Sequence, residues 1–305
     1  MPLREVGEVL GGIRCKASKW RFCDLRRIID PDEITMDHSS HRTAAVQRIQ
    51  HRLQSIGAAL AARDDALALL ALGSVGCETE RMDEWSDLDF FVVVRDGAKA
   101  HYIDDLSWLA AAHPLVWHFQ NTPDGHKALM ADGLFCEFAV FEVRELTDIP
   151  YAPGRFVWRR EEVPDSLATP RRPLPGPADE RWLVGEALSN LLVGLQRHAR
   201  GERLAAMRMV QVSALDRVLE LLERGGGPPS AQRDPFNVDR RVELRLPAAA
   251  ANLAGWAPGY EGTCAAALAL LAAIEARASV PEAVSLRIRA LAAAARNAAA
   301  VAESR

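Results

Sequence analysis

The chain has 305 residues, of which 49% are hydrophobic and 26% are charged. This composition is typical of a soluble globular protein with a substantial core, and the length predicts two domains rather than one. No stretch approaches the roughly 18 uninterrupted apolar residues of a membrane span. The first twenty residues also lack the apolar segment of a secretory signal. We therefore expect a cytoplasmic protein without a membrane partner.

The cysteines and the charges exclude further classes of protein. The five cysteines form no C-x-x-C pair, which argues against a disulfide framework and against a zinc site. The net charge of −4 is uneven: residues 1–153 carry 16 basic and 24 acidic side chains, and residues 154–305 carry 21 and 17. The acidic half is suited to holding a metal ion and the basic half to facing phosphates. Nucleic acid is not an expected partner of so acidic a chain.

Helices and strands alternate in the first half of the chain. Residues 1–38 show no periodicity and are treated as an N-terminal arm of unassigned role. A helix is predicted from Ser39 or Ser40 to Ala62, because apolar residues recur there at steps of three and four. A second helix is predicted over residues 102–112. Apolar, β-branched and aromatic runs predict five strands, which are Ala66–Leu72, Leu88–Val94, Leu115–Gln120, Lys127–Ala131 and Leu134–Glu142.

The composition changes after residue 160. Five prolines lie within residues 163–178, which predicts a linker over residues 161–178. Residues 179–305 are predicted to be helical, with a break near Arg200 and Gly201 and Ala-rich helices at the end. The fold class is therefore predicted as α+β. A small mixed-sheet domain over residues 39–160 is followed by an α-helical bundle domain over residues 179–305.

One short segment carries the most specific pattern. Leu72-Gly73-Ser74 is followed, after twelve residues, by Asp87-Leu88-Asp89-Phe90. Gly73 allows backbone N–H groups to approach a phosphate closely, and Ser74 adds a hydroxyl donor. Asp87 and Asp89 are two residues apart, so on a strand their side chains point to one face. Two carboxylates placed in this way are suited to Mg²⁺ that bridges nucleotide phosphates.

A third carboxylate lies on a separate predicted strand. Glu137 is the sole charge within the apolar run Phe135–Phe141. An acid in such a strand is costly unless it is paired or binds a metal, so a salt-bridged strand acid remains the alternative interpretation. Glu142 ends the same strand with the opposite alternation and is expected to face solvent.

Together these residues resemble the signature of the DNA polymerase β-like nucleotidyltransferase superfamily, in which Gly-Ser precedes a D-h-D strand. Within it, the chain is similar to the antibiotic nucleotidyltransferases of the lincosamide and aminoglycoside types. That likeness covers most of residues 70–224, and it includes Glu142-Val143-Arg144, Gly154-Arg155-Phe156 and the helical stretch Leu188–Leu195 with the following Arg200-Gly201-Glu202. The subfamily likeness rests on looser patterns than the superfamily motif.

The resemblance implies a palm-like catalytic domain and a two-metal mechanism. Asp87, Asp89 and Glu137 would be both the catalytic residues and the ligands of two Mg²⁺ ions. Glu137 would also serve as general base on the acceptor hydroxyl. The expected reaction transfers a nucleotidyl group, AMP from ATP in the first instance, to a hydroxyl of a small acceptor such as an antibiotic, with release of pyrophosphate.

Further residues are candidates for nucleotide binding beside Gly73 and Ser74. Ser86 either orients the carboxylate strand or is a plain loop serine. Asn190 interrupts an apolar helical run, which fits either a residue at a cleft or a satisfied buried amide. Arg200 and Arg208 carry the charge to reach a triphosphate, although solvated helix arginines are the commoner case.

Two alternative functions remain open at the level of sequence. The first is nucleotidyl transfer to RNA or to a protein side chain, which a basic stripe along the cleft would favour. The second is a non-catalytic nucleotide-binding protein on the same scaffold, which is expected if Glu137 points away from Asp87 and Asp89. The sequence identifies neither the acceptor nor the oligomeric state.

Overall fold

The computed structural model describes residues 38–172, 176, 178–224, 233–234 and 236–303. The predicted N-terminal arm lies almost wholly outside these residues. The chain divides into two compact units, with the boundary between Arg172 and Pro173. None of the described helices combines the length and the apolar character that a membrane crossing needs. The α+β class predicted from the sequence is confirmed, since a mixed sheet with helices precedes a helical region.

The described part of the first unit contains a six-stranded mixed sheet and three α-helices. In chain order its elements are α1 (His38–Ala61), β1 (Ala66–Ala71), β2 (Leu88–Val94), α2 (Lys99–Asp104), α3 (Ser107–Ala112), β3 (Leu115–Thr122), β4 (Gly125–Met130), β5 (Phe135–Glu142) and β6 (Arg155–Arg159). The strand order is β3-β4-β5-β2-β1-β6. The pair of β2 and β5 is parallel and the other pairs are antiparallel.

The helix-covered face of this sheet holds the larger core. The predicted stripe of α1 is buried there, with Ile49, Leu53, Ile56 and Leu60 at most 1% exposed. Phe90 of β2 stacks on Phe138 of β5 with ring centroids 5.3 Å apart. The alternation along each strand thus sends one set of side chains into this core and leaves the other set on the opposite face.

The opposite face is covered at one end and open at the other. Val163 and Leu167, which the sequence analysis placed in the linker, are buried against Leu70 and Phe141. The hydroxyl of Tyr151 donates to the Leu167 carbonyl at 2.9 Å. The first half of the predicted linker is therefore packed onto the sheet, because its apolar residues have an uncovered surface to bury. β6 was not predicted from the sequence.

The second unit is helical throughout its described part. Its helices are α4 (Glu180–Ala199), α5 (Arg203–Arg208), α6 (Leu215–Glu223), α7 (Val242–Arg245), α8 (Pro247–Ala250), α9 (Leu253–Trp256), α10 (Thr263–Arg277) and α11 (Glu282–Glu303). The predicted break after α4 is present, and Gly201 has a left-handed φ of 84°. A π-helical segment, Met209–Ala214, joins α5 to α6. Buried Gln211 in that segment exchanges two hydrogen bonds with the backbone of Gly259.

Candidate active site

The turn that follows β1 depends on two glycines. Gly73 has φ of 54°, a left-handed conformation that a residue with a Cβ adopts at a cost. Gly76 closes the turn by donating its N–H to the Gly73 carbonyl at 3.1 Å. A Cβ on Gly76 would lie 2.6 Å from the Ala71 carbonyl oxygen. The Gly-Ser motif therefore forms a tight turn whose shape is fixed by the backbone.

Arg155 of β6 holds this turn in place. Its Nε donates to the Gly76 carbonyl at 3.2 Å, and its guanidinium donates to the Val75 carbonyl at 3.0 Å. A Cβ on the preceding Gly154 would lie 2.8 Å from the Ala71 carbonyl oxygen, so that glycine allows β6 to approach the end of β1. Gly154 and Arg155 belong to the stretch Gly154-Arg155-Phe156 of the family likeness, and their contacts here are with the turn and with the end of β1.

Asp89 lies directly beside the turn. The Leu72 N–H donates to the Asp89 carbonyl at 2.8 Å. The Asp89 Oδ2 lies 3.5 Å from the position that a Cβ on Gly73 would occupy. Leu88 and Phe90 are buried in the helix-covered core, as the alternation predicts. Asp87, two residues earlier and like Asp89 half-buried, comes just before β2.

Glu137 is brought to the same face as Asp89. The two residues are Cα partners on the parallel strands β2 and β5, so their side chains leave the same side of the sheet. The Glu137 carboxylate forms an ion pair with Lys127 of β4, with Nζ and Oε2 3.0 Å apart. Lys127 is in turn the Cα partner of Glu137 on the antiparallel side. The alternative of a salt-bridged strand acid thus describes the arrangement that the structure contains.

These residues are chemically suited to Mg²⁺, which prefers carboxylate oxygens. Adjacent strands lie about 4.8 Å apart, so Asp89 and Glu137 are close enough at the backbone for their carboxylates to serve one centre. Within the described residues, however, no group of three His, Cys, Asp or Glu side chains is arranged to hold a metal ion. The carboxylate oxygens are therefore the type of ligand that Mg²⁺ binds, while Glu137 is ion-paired with Lys127.

Ser86 has a structural partner. Its hydroxyl donates to Asp83 Oδ1 at 3.2 Å and accepts from the Asp83 N–H at 3.0 Å. The Trp85 N–H donates to the same carboxylate at 3.0 Å. These bonds close the turn that leads into β2. The nucleotide-binding role of Ser86 stays a prediction.

The three remaining nucleotide-binding candidates lie in the helical unit. Asn190 donates to the Glu186 carbonyl one turn earlier in α4, at 2.8 Å. Arg200 is exposed at the end of α4, where its Nε donates to the Gln196 carbonyl at 3.4 Å. Arg208 is exposed at the end of α5. The contacts described for Asn190 and Arg200 are local to α4, and the nucleotide-binding role of all three residues stays a prediction.

Glu142 corrects one expectation from the sequence. It does lie on the face opposite to Glu137, but that face is covered, and Glu142 is 6% exposed. Its carboxylate accepts the Gly97 N–H at 2.7 Å and pairs with Arg144. The backbone donor and the guanidinium hold the pKa of Glu142 below its usual value. Glu142 therefore ties the loop after β2 to the end of β5.

Lys127 is the residue of this site that the sequence analysis missed. A two-residue turn at Asp132-Gly133 would place Lys127 opposite Phe138, on the other face of the sheet. The hairpin has a three-residue loop, 131–133, and this shifts the register so that Lys127 pairs with Glu137. The signal in the sequence is limited to a lone lysine on the predicted strand next to the strand of the lone acid.

The helical unit holds a separate polar cavity of about 450 Å³. Asp216 of α6 lies on its wall, together with charged side chains that include Arg217, Glu220 and Asp239. Burial raises the pKa of Asp216 to about 6, and Arg217 opposes that shift. None of the candidate residues named above lines this cavity.

No family model and no curated protein matches the chain. Among solved structures, the chain is similar to the crystal structure of an aminoglycoside 6-adenyltransferase from Bacillus subtilis, with 12% identity over 84% of this chain and 97% of that chain. The TM-score is 0.29, which is too low for the likeness to locate any residue of the site.

Proposed function

We propose that this protein is a Mg²⁺-dependent nucleotidyltransferase that transfers AMP from ATP to a hydroxyl of a small acceptor. One observation carries the proposal. Asp89 lies between the Gly73 turn and Glu137, with contacts to the turn on one side and strand pairing to Glu137 on the other. The turn that we propose to bind phosphate, the carboxylate that we propose to bind metal and the proposed base would thus follow one another across the sheet.

Each residue has a defined task in this proposal. The glycine-rich turn with Ser74 would bind the triphosphate through backbone N–H groups and a hydroxyl. Asp87 and Asp89, with Glu137, would hold Mg²⁺, which when bound neutralises charge on the phosphates. The acceptor oxygen attacks the α-phosphorus and forms the new P–O bond, while its proton passes to the Glu137 carboxylate. The bond from the α-phosphorus to the bridging oxygen breaks, and pyrophosphate leaves.

Lys127 sets a condition on this chemistry. The ion pair between Lys127 and Glu137 occupies a carboxylate oxygen that a metal or an acceptor hydroxyl would need. Binding of substrates must therefore compete with Lys127 for Glu137. The pair is partly exposed, so this competition costs little.

The ion pair also favours a second candidate function. If Glu137 never leaves Lys127, the scaffold would bind a nucleotide without transferring it. The two candidates differ in one measurable respect, because both bind ATP with Mg²⁺ but one alone forms a covalent product. Transfer to RNA has no comparable support, since the sheet-bearing half of the chain is acidic.

The test is nucleotidyl transfer from α-labelled ATP with Mg²⁺ and a panel of hydroxylated acceptors. We expect Asp89→Asn and Asp87→Asn to lower transfer at least about 100-fold, as loss of one strong electrostatic contact in the transition state typically does. Asp96→Asn, an exposed acid beyond the other end of β2, is the matched control and should transfer normally. Full transfer by Asp89→Asn would refute the proposal. ATP binding without transfer by the wild type would select the non-catalytic alternative.

A further inference from the structure

An apolar patch lies on the open face of the sheet, beyond Lys127. We call it the aromatic patch, and it consists of Trp117, Phe119, Leu129 and Phe135. Trp117 and Phe119 lie on the edge strand β3 and are 41% and 45% exposed. Their ring centroids are 5.1 Å apart and the rings are tilted by 50°. Large aromatic side chains exposed side by side on a sheet are typical of a binding surface.

Strand pairing aligns the aromatic patch with the candidate active site. Phe119 pairs with Lys127, which pairs with Glu137, which pairs with Asp89. Paired residues share a face, so these four side chains form one row across four strands. A second row on the same face contains the partners Trp117, Leu129 and Phe135. The patch thus continues the line of carboxylates across the sheet.

In the row of four side chains, the Asp89 end and the Phe119 end are suited to different substrates. The Gly73 turn lies on the β1 side of Asp89, and the aromatic patch lies on the far side of Glu137. With a triphosphate bound at the turn, the patch side of Glu137 remains free. The acceptor, whose hydroxyl loses its proton to Glu137, can bind on that side. We propose that the aromatic patch is the acceptor subsite, a proposal that rests on the proposed function.

The spacing and the chemistry define the acceptor. Strands lie about 4.8 Å apart, so the backbone of Phe119 is about 10 Å from that of Glu137. A molecule with a hydroxyl at Glu137 and a ring on Trp117 and Phe119 must span about two ring widths. Aromatic faces bind flat rings that present C–H groups or a π surface. The acceptor is therefore a hydroxylated compound of two or more rings, at least one of which has a flat apolar face.

Ligand-detected NMR tests the subsite without requiring transfer. Saturation-transfer difference spectra are recorded with neamine and maltose as two-ring probes and with glucose as a single-ring probe. We expect signals from at least one two-ring probe with the wild type, weaker signals from glucose, and loss of these signals in Trp117→Ala/Phe119→Ala. His118→Ala is the matched control. His118 lies between the two aromatics on β3, but it pairs with Ala128 and so belongs to the helix-covered side of the sheet. The variant should keep the signals.

Kinetics separate failure of the subsite from failure of the proposed function. If AMP transfer occurs, the double variant should raise the acceptor KM at least about tenfold and leave the KM for ATP unchanged. Phe119→Tyr, which keeps an aromatic ring, should leave the acceptor KM close to the wild-type value if the ring face is what binds. An unchanged acceptor KM, or probe signals that persist in the double variant, would overturn the subsite. So would the absence of signals from both two-ring probes with the wild type.

Discussion

Glu137 pairs with Asp89 on one side and with Lys127 on the other, and its carboxylate is bound by Lys127 at 3.0 Å. The proposed base is thus in register with Asp89, the carboxylate proposed to bind metal, but it forms an ion pair with a cation from the neighbouring strand. In the proposed function, the three carboxylates act together only if a metal ion binds Glu137 more tightly than Lys127 does.

Removal of Lys127 should lower the Mg²⁺ requirement. In Lys127→Met the metal no longer competes with the ammonium group for Glu137. Because both side chains are partly exposed, the pair contributes less than about 1 kcal/mol. We expect half-maximal transfer at a Mg²⁺ concentration about two- to fivefold lower, measured by metal titration of the rate. Arg95→Met breaks the exposed pair with Glu162 and serves as control. A higher Mg²⁺ requirement in Lys127→Met would contradict this prediction.

Loss of Arg155 should weaken ATP binding selectively. Its two hydrogen bonds hold the Val75 and Gly76 carbonyls, and without them the turn loses part of its preorganisation. We expect Arg155→Ala to raise the KM for ATP about fivefold, with Arg155→Lys intermediate, while the acceptor KM stays constant. Equal increases in the KM for ATP and in the acceptor KM would indicate general unfolding instead.

Replacing Gly76 of the turn with alanine should destabilise the protein more than replacing Gly97, a left-handed glycine outside the turn. Gly97 has φ of 82° and open space around its Cβ position, so Gly97→Ala should cost about 1–2 kcal/mol of unfolding free energy. Gly76→Ala forces a methyl group against the Ala71 carbonyl and the Leu72 backbone, and it should cost more, about 3 kcal/mol. Denaturant unfolding at one pH compares the two. A smaller loss for Gly76→Ala would show that the turn relaxes freely.

The stability of the helical unit should depend on Asp216. The pKa of Asp216 is about 6 in the folded protein, against about 3.9 in an unfolded chain. The folded state therefore binds this proton more tightly, and stability falls as pH rises from about 4 to 6. Asp216→Asn should stabilise the protein by up to about 2 kcal/mol at pH 7, allowing for partial exposure, and by little at pH 4.

Thermal unfolding at both pH values measures the effect of Asp216→Asn. Glu243→Gln, a neutralised acid that is exposed in the same unit, is the control and should change stability little at either pH. Equal stabilisation of Asp216→Asn at pH 4 and at pH 7 would contradict the assignment of a raised pKa.

The sequence predicted the strands that have strong local signals. β1, β2 and β5 are apolar runs bounded by turns, and their alternation also placed Leu88 and Phe90 in the core. β6 was missed because its five residues form a strand through pairing with β1, a contact about ninety residues away in sequence. The burial of Glu142 was missed for a related reason. Alternation along a strand predicts the face to which a side chain points, but not what packs against that face.

The sequence identified candidate residues of the site but not the contacts that they make. Asp89 and Glu137 were identified from the residues, and the structure pairs them directly. Lys127 was absent from the prediction, because a lone sequence pattern does not rank the partners that compete for a carboxylate. The nucleotide-binding role of Asn190, Arg200 and Arg208 stays a prediction.

The same edge strand that carries Trp117 and Phe119 exposes the protein to self-association. β3 has eight residues and no Asp, Glu, Lys or Arg, and among the described residues no strand pairs with its outer side. Such an edge is a template for the growth of intermolecular sheets. Pro114 and Pro123 flank the strand at its two ends and limit how far such pairing could extend. If the aromatic patch binds a ring as proposed, its exposed aromatics lower the solubility of the free protein, and we expect a bound ligand to reduce aggregation.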